Sequence, residues 1–265
     1  STRNPTCRPT FSPTPQSTRS PTPRLTRQVR AAKPAVPAPA TKPATQVDAE
    51  TSITLQGKRD DFVSRGGHKL AGALDAFPNI IVSGKRALDA GASTGGFTDV
   101  LLKRGAIEVI AVDVGYGQLA WEIRNDPRVK VLDRTNIRHL TIEQVGEPVD
   151  LIVADLSFIS LTLVLPALVT VAKTNADYLV MVKPQFEVGR EKLGAGGVVR
   201  DSHLRKMAVQ EVADVAYDMG LGCEGVVASS LPGPSGNVEY FLWLKKGVRE
   251  LRESELEEAI TKGPQ

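Results

Sequence analysis

The chain has 265 residues, of which 41% are hydrophobic, so it can bury the core of one large domain or two small ones. It has no run of 18 apolar residues and no apolar stretch near its first residue, so the sequence predicts neither a membrane span nor a secretory signal. Two cysteines and three scattered histidines indicate neither a disulfide framework nor a metal site, and this usage is typical of a cytoplasmic protein.

The first part of the chain differs from the rest in charge and composition. Residues 1–47 contain eight Lys and Arg and no Asp or Glu, so the formal net charge of +3 leaves a balance of −5 for the remainder. Residues 1–41 also contain nine of the 18 prolines and show no apolar periodicity. We expect residues 1–41 to be a disordered, basic, Pro-rich tail, which is either a flexible appendage or an arm that helps to hold RNA.

The stretch FVSRGGHKLAGALDAF (62–77) predicts a helix with one apolar face, and Ser64 is a plausible N-cap. The residues spaced for that face are Leu70, Ala73, Leu74 and Phe77. Lys69 lies beside the apolar face, where a lysine is normally a solvated flank.

From residue 86 onward, apolar strands alternate with helices. Seven strands are predicted, at Arg86–Ala90, Glu108–Val112, Val129–Leu132, Val149–Ala154, 178–182, 225–230 and 238–244. Strands this apolar, joined by helices, indicate a mainly parallel sheet covered on both faces. We expect the last two strands to form an antiparallel hairpin at one edge. The predicted fold is therefore α/β and Rossmann-like, with a seven-stranded, mostly parallel sheet, and it suits a methyltransferase better than a dehydrogenase.

The connecting segments are predicted to be mainly helical. Helices are expected at 97–104, 118–125, 136–145 in part, 160–172, 202–219 and 248–260. Pro166 should kink the helix over 160–172, and the last helix should be peripheral. The residues predicted to face inward on the helix over 202–219 are Leu204, Met207, Ala208, Val212 and Val215. The Gly-rich stretch 186–199 is expected to be a loop.

The stretch ALDAGASTGGF (87–97) places a glycine-rich turn between a buried strand and a helix N-terminus, a setting that favours an anionic or polar ligand. Its form is DxGxxxG, because serine at position 93 excludes GxGxxG, and no Lys-Ser or Lys-Thr follows to complete a phosphate loop. This form resembles the first motif of S-adenosylmethionine-dependent methyltransferases; the alternative is a tight turn in another α/β protein. The candidate ligand-binding residues are Asp89, Gly91, Ser93, Gly95, Gly96 and Phe97.

Five successive predicted strands end at a charged residue, namely Asp89, Asp113, Asp133, Asp155 and Lys183. A single Asp there is often a turn former, but ligands of doubly wound sheets bind beyond the C-terminal strand ends. Asp113 is placed to accept the ribose hydroxyls of an adenosine ligand, and Asp133 to reach the adenine amino group. Asp89 and Asp155 would face the positive sulfonium and the amino-acid moiety of the methyl donor.

Two lysines and two carboxylates are expected to converge on this edge. Asp155 and Lys183 should lie on adjacent strands, Glu239 begins the final strand, and Lys69 precedes the first strand and could fold over the site. Such a set suits the deprotonation of a poor acid such as a sugar hydroxyl. Taken singly, each residue would more often belong to a surface salt bridge.

Residues from about 62 to 244 strongly resemble the TlyA (haemolysin A) family of ribosomal RNA 2′-O-methyltransferases, within the FtsJ-like group. The stretches that carry the resemblance are FVSRGGHKLAGALDAF, LDAGASTGGFTDVLL, DVGYGQLAW, NDPRVKVLDRTN, VDLIVADLSFISL, VKPQFEVGR, GGVVRD and LPGPSGNVEYFLWL. The resemblance implies a class I methyltransferase fold over 62–246, with a helix and tail over 247–265. It also implies S-adenosylmethionine as cofactor, ribosomal RNA or ribosomal subunits as partner, cytidine as the target nucleotide, and neither metal nor membrane.

The resemblance also implies roles for single residues. The Lys-Asp-Lys-Glu tetrad of the family maps onto Lys69, Asp155, Lys183 and Glu239. Lys183 would be the base or would stabilise the nascent 2′-alkoxide. Arg65 and Phe158 would bind the substrate, the latter at the mouth of the pocket. The absence of an (N/D)PPY motif in VADLSF argues against methylation of an exocyclic base amine.

The N-terminal part departs from the family, which normally begins with a small RNA-binding domain. The stretch KPATQVDAETSITL (42–55) resembles the last strands of that domain, with short β segments expected at Val47, Ile53 and Leu55, and a polar linker extends to residue 61. Residues 1–41 show none of its basic helices. We expect either a defective or mis-framed N-terminus or a natural variant.

Three other functions stay open from the sequence. A non-catalytic rRNA-binding or ribosome-assembly factor is one, although the intact tetrad argues against it. Membrane lysis, suggested by the haemolysin name, finds no span or basic amphipathic helix to support it. An NAD-linked oxidoreductase is disfavoured by Ser93 and by the absence of GxGxxG.

Overall fold

The structure is a computed structural model, which describes residues 32–34, 53–55 and 61–264. The chain divides into two compact units, Ser1–Arg59 and Asp60–Gln265.

The first unit contains an antiparallel pair of short strands, β1 (Ala32–Pro34) and β2 (Ile53–Leu55). Strand β2 agrees with the expected β segments at Ile53 and Leu55. Strand β1 lies within the stretch expected to be a disordered tail. The rest of that tail and the expected segment at Val47 lie outside the described residues.

The second unit is built on a seven-stranded sheet. Its strands are β3 (Arg86–Ala90), β4 (Glu108–Val112), β5 (Val129–Leu132), β6 (Val149–Ala154), β7 (Ala172–Val182), β8 (Leu221–Ala228) and β9 (Tyr240–Lys246). The spatial order is β5-β4-β3-β6-β7-β9-β8, in which β3 to β7 are parallel and β9 is antiparallel to both of its neighbours. The predicted sheet, including its antiparallel C-terminal pair at one edge, is confirmed.

Helices pack on both faces of this sheet. They are α1 (Gly66–Ala76), α2 (Gly96–Lys103), α3 (Trp121–Arg124), α4 (Ile142–Val145), α5 (Leu165–Thr170), α6 (Pro184–Glu187), α7 (Ser202–Asp218) and α8 (Glu253–Lys262). Successive residues of β3 belong to different core layers, because Ala87 packs with α1 and α2 while Leu88 packs with the layer that contains α5, α7 and α8. Both strand faces are therefore apolar, which explains the continuous apolar runs in the sequence.

The segment between β6 and β7 differs from the prediction. In place of one kinked helix over 160–172, the structure has a 3₁₀ turn at Leu161–Leu163 followed by α5. Pro166 lies in the first turn of α5, where its missing N–H leaves no hydrogen bond unmade. Strand β7 begins at Ala172, well before the predicted start at Tyr178. The prediction missed this part of the strand because residues 173–175 are polar and exposed and show no apolar alternation.

Three further expectations were wrong in detail. Met207 on α7 is 44% exposed, because the buried face, apart from Arg205, consists of smaller residues. Those residues are Ala208, Val209, Val212, Ala213 and Ala216. Helix α8 is not peripheral, since Leu256 is fully buried in the main core. The predicted loop over 186–199 contains the end of α6 and two 3₁₀ turns, Arg190–Lys192 and Ala195–Gly197.

Candidate active site

The glycine-rich turn joins β3 to α2 at the C-terminal edge of the sheet. Gly91 and Gly95 have φ values of +88° and +96°, a conformation that favours glycine. A Cβ atom on Gly91 would lie 2.5 Å from the backbone oxygen of Asp155, so the turn also needs glycine for close approach. The helix α2 begins at Gly96, and Phe97 is buried against Phe241. The predicted turn is therefore built as its sequence suggests, with glycine at positions that need positive φ or close approach.

Asp113, at the end of β4, has its carboxylate oriented by two backbone N–H groups. Ser93 donates to Oδ2 at 2.8 Å and Gly115 donates to Oδ1 at 2.7 Å. Asp133, at the end of the neighbouring strand β5, forms a 2.9 Å ion pair with Arg124. Both carboxylates lie on the sheet edge where they were predicted, and Asp113 is held beside the glycine-rich turn.

Asp89 is placed differently from the other strand-end carboxylates. It is completely buried, does not line either of the pockets described below, and accepts a 2.7 Å hydrogen bond from Thr98 Oγ1. The pKa of Asp89 is raised to about 7, mainly by burial and in smaller part by the charges of Asp155 and Asp113, while the hydrogen bonds from Thr98 oppose the rise. Its Oδ1 has no hydrogen-bond partner within the described part of the chain. The structure thus puts Asp89 behind the turn.

Lys69 and Glu239 form a buried ion pair, with Nζ 2.5 Å from Oε2. They come from α1 and from the residue before β9, 170 positions apart in sequence, and are 5% and 1% exposed. Lys69 is therefore not the solvated flank that its place on the helix suggested. Oε1 of Glu239 has no hydrogen-bond partner among residues 61–264, and a Cβ atom on Gly233 would lie 2.7 Å from it.

Lys183 and Asp155 form a second ion pair at the ends of adjacent strands, with Nζ 2.5 Å from Oδ1. Lys183 also donates a 3.0 Å hydrogen bond to Ser157 Oγ. Lys183 is buried, whereas the Asp155 side chain keeps about a fifth of its surface exposed. A lysine held at two points in this way has a defined position at the sheet edge.

Two pockets meet at Lys183. The glycine-turn pocket has a volume of about 270 Å³ and is lined by residues of the turn together with Arg65, Lys69 and Asp155. The large cavity has a volume of about 900 Å³ and includes Glu239 in its lining. The residues common to both linings are Ser157, Lys183 and Pro234. The tetrad predicted from the sequence is therefore distributed around the junction of two adjoining pockets.

The large cavity presents aromatic and basic side chains. Phe158 is 91% exposed, has a φ of +65°, and its ring centroid lies 5.1 Å from that of Phe186. Arg138 and Arg190 also line the cavity. Arg65 lines the glycine-turn pocket instead, and donates a 2.6 Å hydrogen bond to the carbonyl of Pro232.

Several residues at the site were not predicted from the sequence. Ser157, Pro234 and Phe186 were missed, because each acquires its position only when separate loops pack together. For Ser157 a hint was available, since it lies two residues after the strand-end Asp155. Thr98 could have been found as the polar residue in the first turn of α2 that faces the buried Asp89.

Two further observations concern the described residues alone. None of the helices over residues 61–264 is long and apolar enough to cross a membrane. Within the same residues, no three or more His, Cys, Asp or Glu side chains are grouped so that they could hold a metal ion.

Comparison with known proteins gives consistent matches. A family model described as FtsJ-like methyltransferase matches residues 62–246. The 16S/23S rRNA (cytidine-2′-O)-methyltransferase TlyA of Mycobacterium tuberculosis is 60% identical over 224 residues, 84% of this chain and 83% of that protein. The 23S rRNA (cytidine-2′-O)-methyltransferase TlyA of Campylobacter jejuni is 34% identical over 186 residues, 70% of this chain and 71% of that protein.

A solved structure from Lactococcus lactis, provisionally described as a hemolysin, is similar in fold as well as sequence. It is 40% identical, with a TM-score of 0.72, and the match covers 76% of this chain and 97% of that one.

Proposed function

The chain belongs to the TlyA family of FtsJ-like methyltransferases, and on that premise we propose that it transfers a methyl group from S-adenosylmethionine to a ribose 2′-hydroxyl of ribosomal RNA. The names of the TlyA relatives specify cytidine in rRNA as the methylated nucleotide, and we propose cytidine as the target here. A ribosomal substrate implies that the enzyme works in the cytoplasm.

The observation that carries the proposal is the position of Lys183 in the wall shared by the two pockets. Methyl transfer requires the nucleophile, the methyl carbon and the leaving sulfur to lie in line, and positioning of this kind can remove about 7–11 kcal/mol of a barrier. If the donor occupies one pocket and the acceptor occupies the other, the reacting groups meet at the wall that the two pockets share. A buried lysine fixed by Asp155 and Ser157 is therefore suited to act on the attacking hydroxyl.

The residues of this chain divide the chemistry between them. Lys183 Nζ, in its neutral form, takes the proton of the 2′-hydroxyl as its oxygen attacks and passes it to solvent, or, as the ammonium, stabilises the nascent alkoxide. Asp155 orients Lys183. The pair of Lys69 and Glu239 borders the junction of the two pockets. S-adenosylmethionine, when bound, supplies a methyl group activated by a positively charged sulfur.

We assign such a donor to the glycine-turn pocket and to the sheet edge beside it, where Asp113 and Asp133 lie outside the pocket lining. Asp113 would accept the two ribose hydroxyls, because its carboxylate is already oriented by two backbone N–H groups and keeps further lone pairs free. The turn from Gly91 to Gly96 would cradle the amino-acid moiety with backbone groups, and Asp155 would attract its positive charge. Asp133 would reach the adenine amino group. Asp89 would act from behind the turn, through its bond with Thr98.

The large cavity fits a nucleotide taken out of an RNA strand. The exposed ring of Phe158, beside Phe186, offers a stacking surface for a base, a contact worth about 1–3 kcal/mol in single-stranded nucleic acid complexes. Arg138 and Arg190 are placed in the same lining for phosphate contacts, and Arg65 lies at the neighbouring pocket. A 2′-hydroxyl acceptor restricts the substrate to RNA rather than DNA.

The proposal is tested by incubating the purified chain with ribosomal subunits from a strain that lacks the gene, in the presence of a methyl-labelled donor. We expect label in rRNA at a small number of ribose 2′-oxygens, which are then mapped by comparison with subunits incubated without protein or without donor. Binding of the subunits with no incorporation of label would instead support a non-catalytic assembly factor and would overturn the proposal.

A further inference from the structure

The side chain of Glu187, which the sequence did not single out, joins two loops that line the large cavity. Its Oε1 accepts a hydrogen bond from the backbone N–H of Leu161 at 3.0 Å, and its Oε2 accepts one from Ser160 Oγ at 2.5 Å. Glu187 ends α6 directly after Phe186, whereas Ser160 follows Phe158 by two residues. The carboxylate therefore connects the segment after β7 with the segment after β6.

The same two segments touch at two other places, both within the site. Lys183 Nζ contacts Asp155 and Ser157, and the rings of Phe158 and Phe186 lie 5.1 Å apart. The carboxylate of Glu187 is the third link, and it is the one farthest along both segments from the strand ends. The three links together fix the spacing between the cavity walls.

The environment of Glu187 indicates that this link is not incidental. Burial raises its pKa, and the charge of Glu211 raises it further, while the bonds from Ser160 and Leu161 lower it. No Lys or Arg forms a salt bridge with Glu187 within the described part of the chain. A carboxylate held mostly in the interior without a counter-ion is costly, so neutral donors alone compensate it.

Local capping does not account for this arrangement. The 3₁₀ turn after β6 is already capped by Ser160, whose Oγ accepts the backbone N–H of Thr162 at 3.1 Å. Glu187 adds a bond that reaches across 26 and 27 residues of sequence rather than closing the turn itself. Its contribution is the connection between the two segments.

We propose that Glu187 is a positioning residue, which holds the loop with Ser157 and Phe158 against the segment with Lys183 and Phe186, so that the target ribose meets the attacking geometry. The identification of the target rests on the proposed function. Glu187 itself contacts neither donor nor acceptor. Because a displacement of about 1 Å at reacting groups can lower the rate about 10²-fold, loss of the link lowers kcat more than it raises KM.

The test compares Glu187→Ala, Glu187→Gln and Ser160→Ala with the unaltered chain. The readouts are kcat and KM for ribosomal subunits, affinity for S-adenosylhomocysteine, and amide hydrogen exchange over residues 156–163. We expect Glu187→Ala to lower kcat about 10- to 100-fold, to speed exchange of the Leu161 amide, and to leave affinity for S-adenosylhomocysteine within a factor of two. Glu187→Gln keeps an acceptor for Leu161 and a donor for Ser160, so it restores most of kcat.

Glu211→Gln is the matched control, because it removes the exposed charge that faces Glu187 and leaves both bonds of the link intact. We expect it to retain the full rate. The proposal would be overturned if kcat and amide exchange were unchanged in both Glu187→Ala and Ser160→Ala. It would also be overturned if affinity for S-adenosylhomocysteine fell as much as kcat, because such a loss marks a general structural defect. If the unaltered chain methylates no rRNA, the proposed function fails, while hydrogen exchange still tests the link.

Discussion

The glycine-turn pocket and the large cavity share a wall but are constructed from different parts of the chain. The largest single contribution to the glycine-turn pocket comes from one continuous stretch, residues 91–97, in which Gly91 lies close to the backbone of Asp155. The large cavity draws on four stretches, around residues 138, 157–163, 183–197 and 233–239, and presents side chains. The first pocket therefore depends on the absence of Cβ atoms, and the second depends on ion pairs and hydrogen bonds between distant residues.

Replacement of Lys183 should have the largest effect on activity. Lys183→Ala removes the group in the shared wall, and we expect the rate of methyl transfer to fall about 10²- to 10⁴-fold, while affinity for S-adenosylhomocysteine stays nearly unchanged. The measurement is single-turnover transfer to ribosomal subunits. Lys173→Ala serves as control, because Lys173 is paired with Asp150 away from the site. A Lys183→Ala rate within tenfold of the unaltered protein would exclude the proposed role.

Breaking the buried pair of Lys69 and Glu239 should have the next largest effect, which is an effect on stability. Glu239→Gln leaves the Lys69 ammonium buried without a carboxylate, so we expect unfolding free energy to fall by about 3 kcal/mol in urea. The exposed pair of Glu253 and Lys206 gives the control, since Glu253→Gln should leave the unfolding free energy nearly unchanged. Equal effects at the two glutamates would mean that the Lys69 pair is solvated in solution.

Substitutions at two glycines can separate the cost of backbone strain from the cost of close approach. Gly84 and Gly91 both have positive φ, but a Cβ atom on Gly84 would meet nothing within 4 Å, whereas one on Gly91 would meet the backbone oxygen of Asp155. Gly84→Ala should cost about 1–2 kcal/mol and leave donor binding intact. Gly91→Ala should cost more and weaken binding of S-adenosylhomocysteine, measured by calorimetry. The pocket would not depend on the glycine if both variants bound equally well.

The smallest effect on transfer is expected at Asp89, which lines neither pocket, but its effect on stability should depend on pH. The pKa of Asp89 is raised from 3.8 to about 7 by burial, so the folded state binds a proton more tightly than the unfolded state. Its stabilising contribution is full below about pH 4 and is lost as the pH rises through 7. Relative to the unaltered chain, Asp89→Asn should therefore gain stability between these values in urea unfolding. A difference in stability between the two chains that stayed constant over this pH range would contradict the raised pKa of Asp89.

The sequence specified the parts of this protein that depend on local pattern. All of β3, β4, β5 and β6 were predicted with their observed bounds. The inner strands β3, β4 and β6 are buried on both faces, which leaves largely apolar runs in the sequence. The turn at Gly91 was predicted too, because its backbone geometry admits few other residues. The gathering of charged residues at the C-terminal edge of the sheet was predicted as well, because each of them directly follows a predicted strand.

Only the tertiary structure decided which side chains meet. On its helix, Lys69 had the spacing of a solvated residue, and only folding brings Glu239 to it from 170 positions away. The extent of β7, the buried face of α7 and the packing of α8 were likewise decided by their neighbours. The link from Glu187 to Ser160 left no trace in the sequence. Local pattern reports burial and backbone conformation, whereas partners distant in sequence are selected by the packing of the whole sheet.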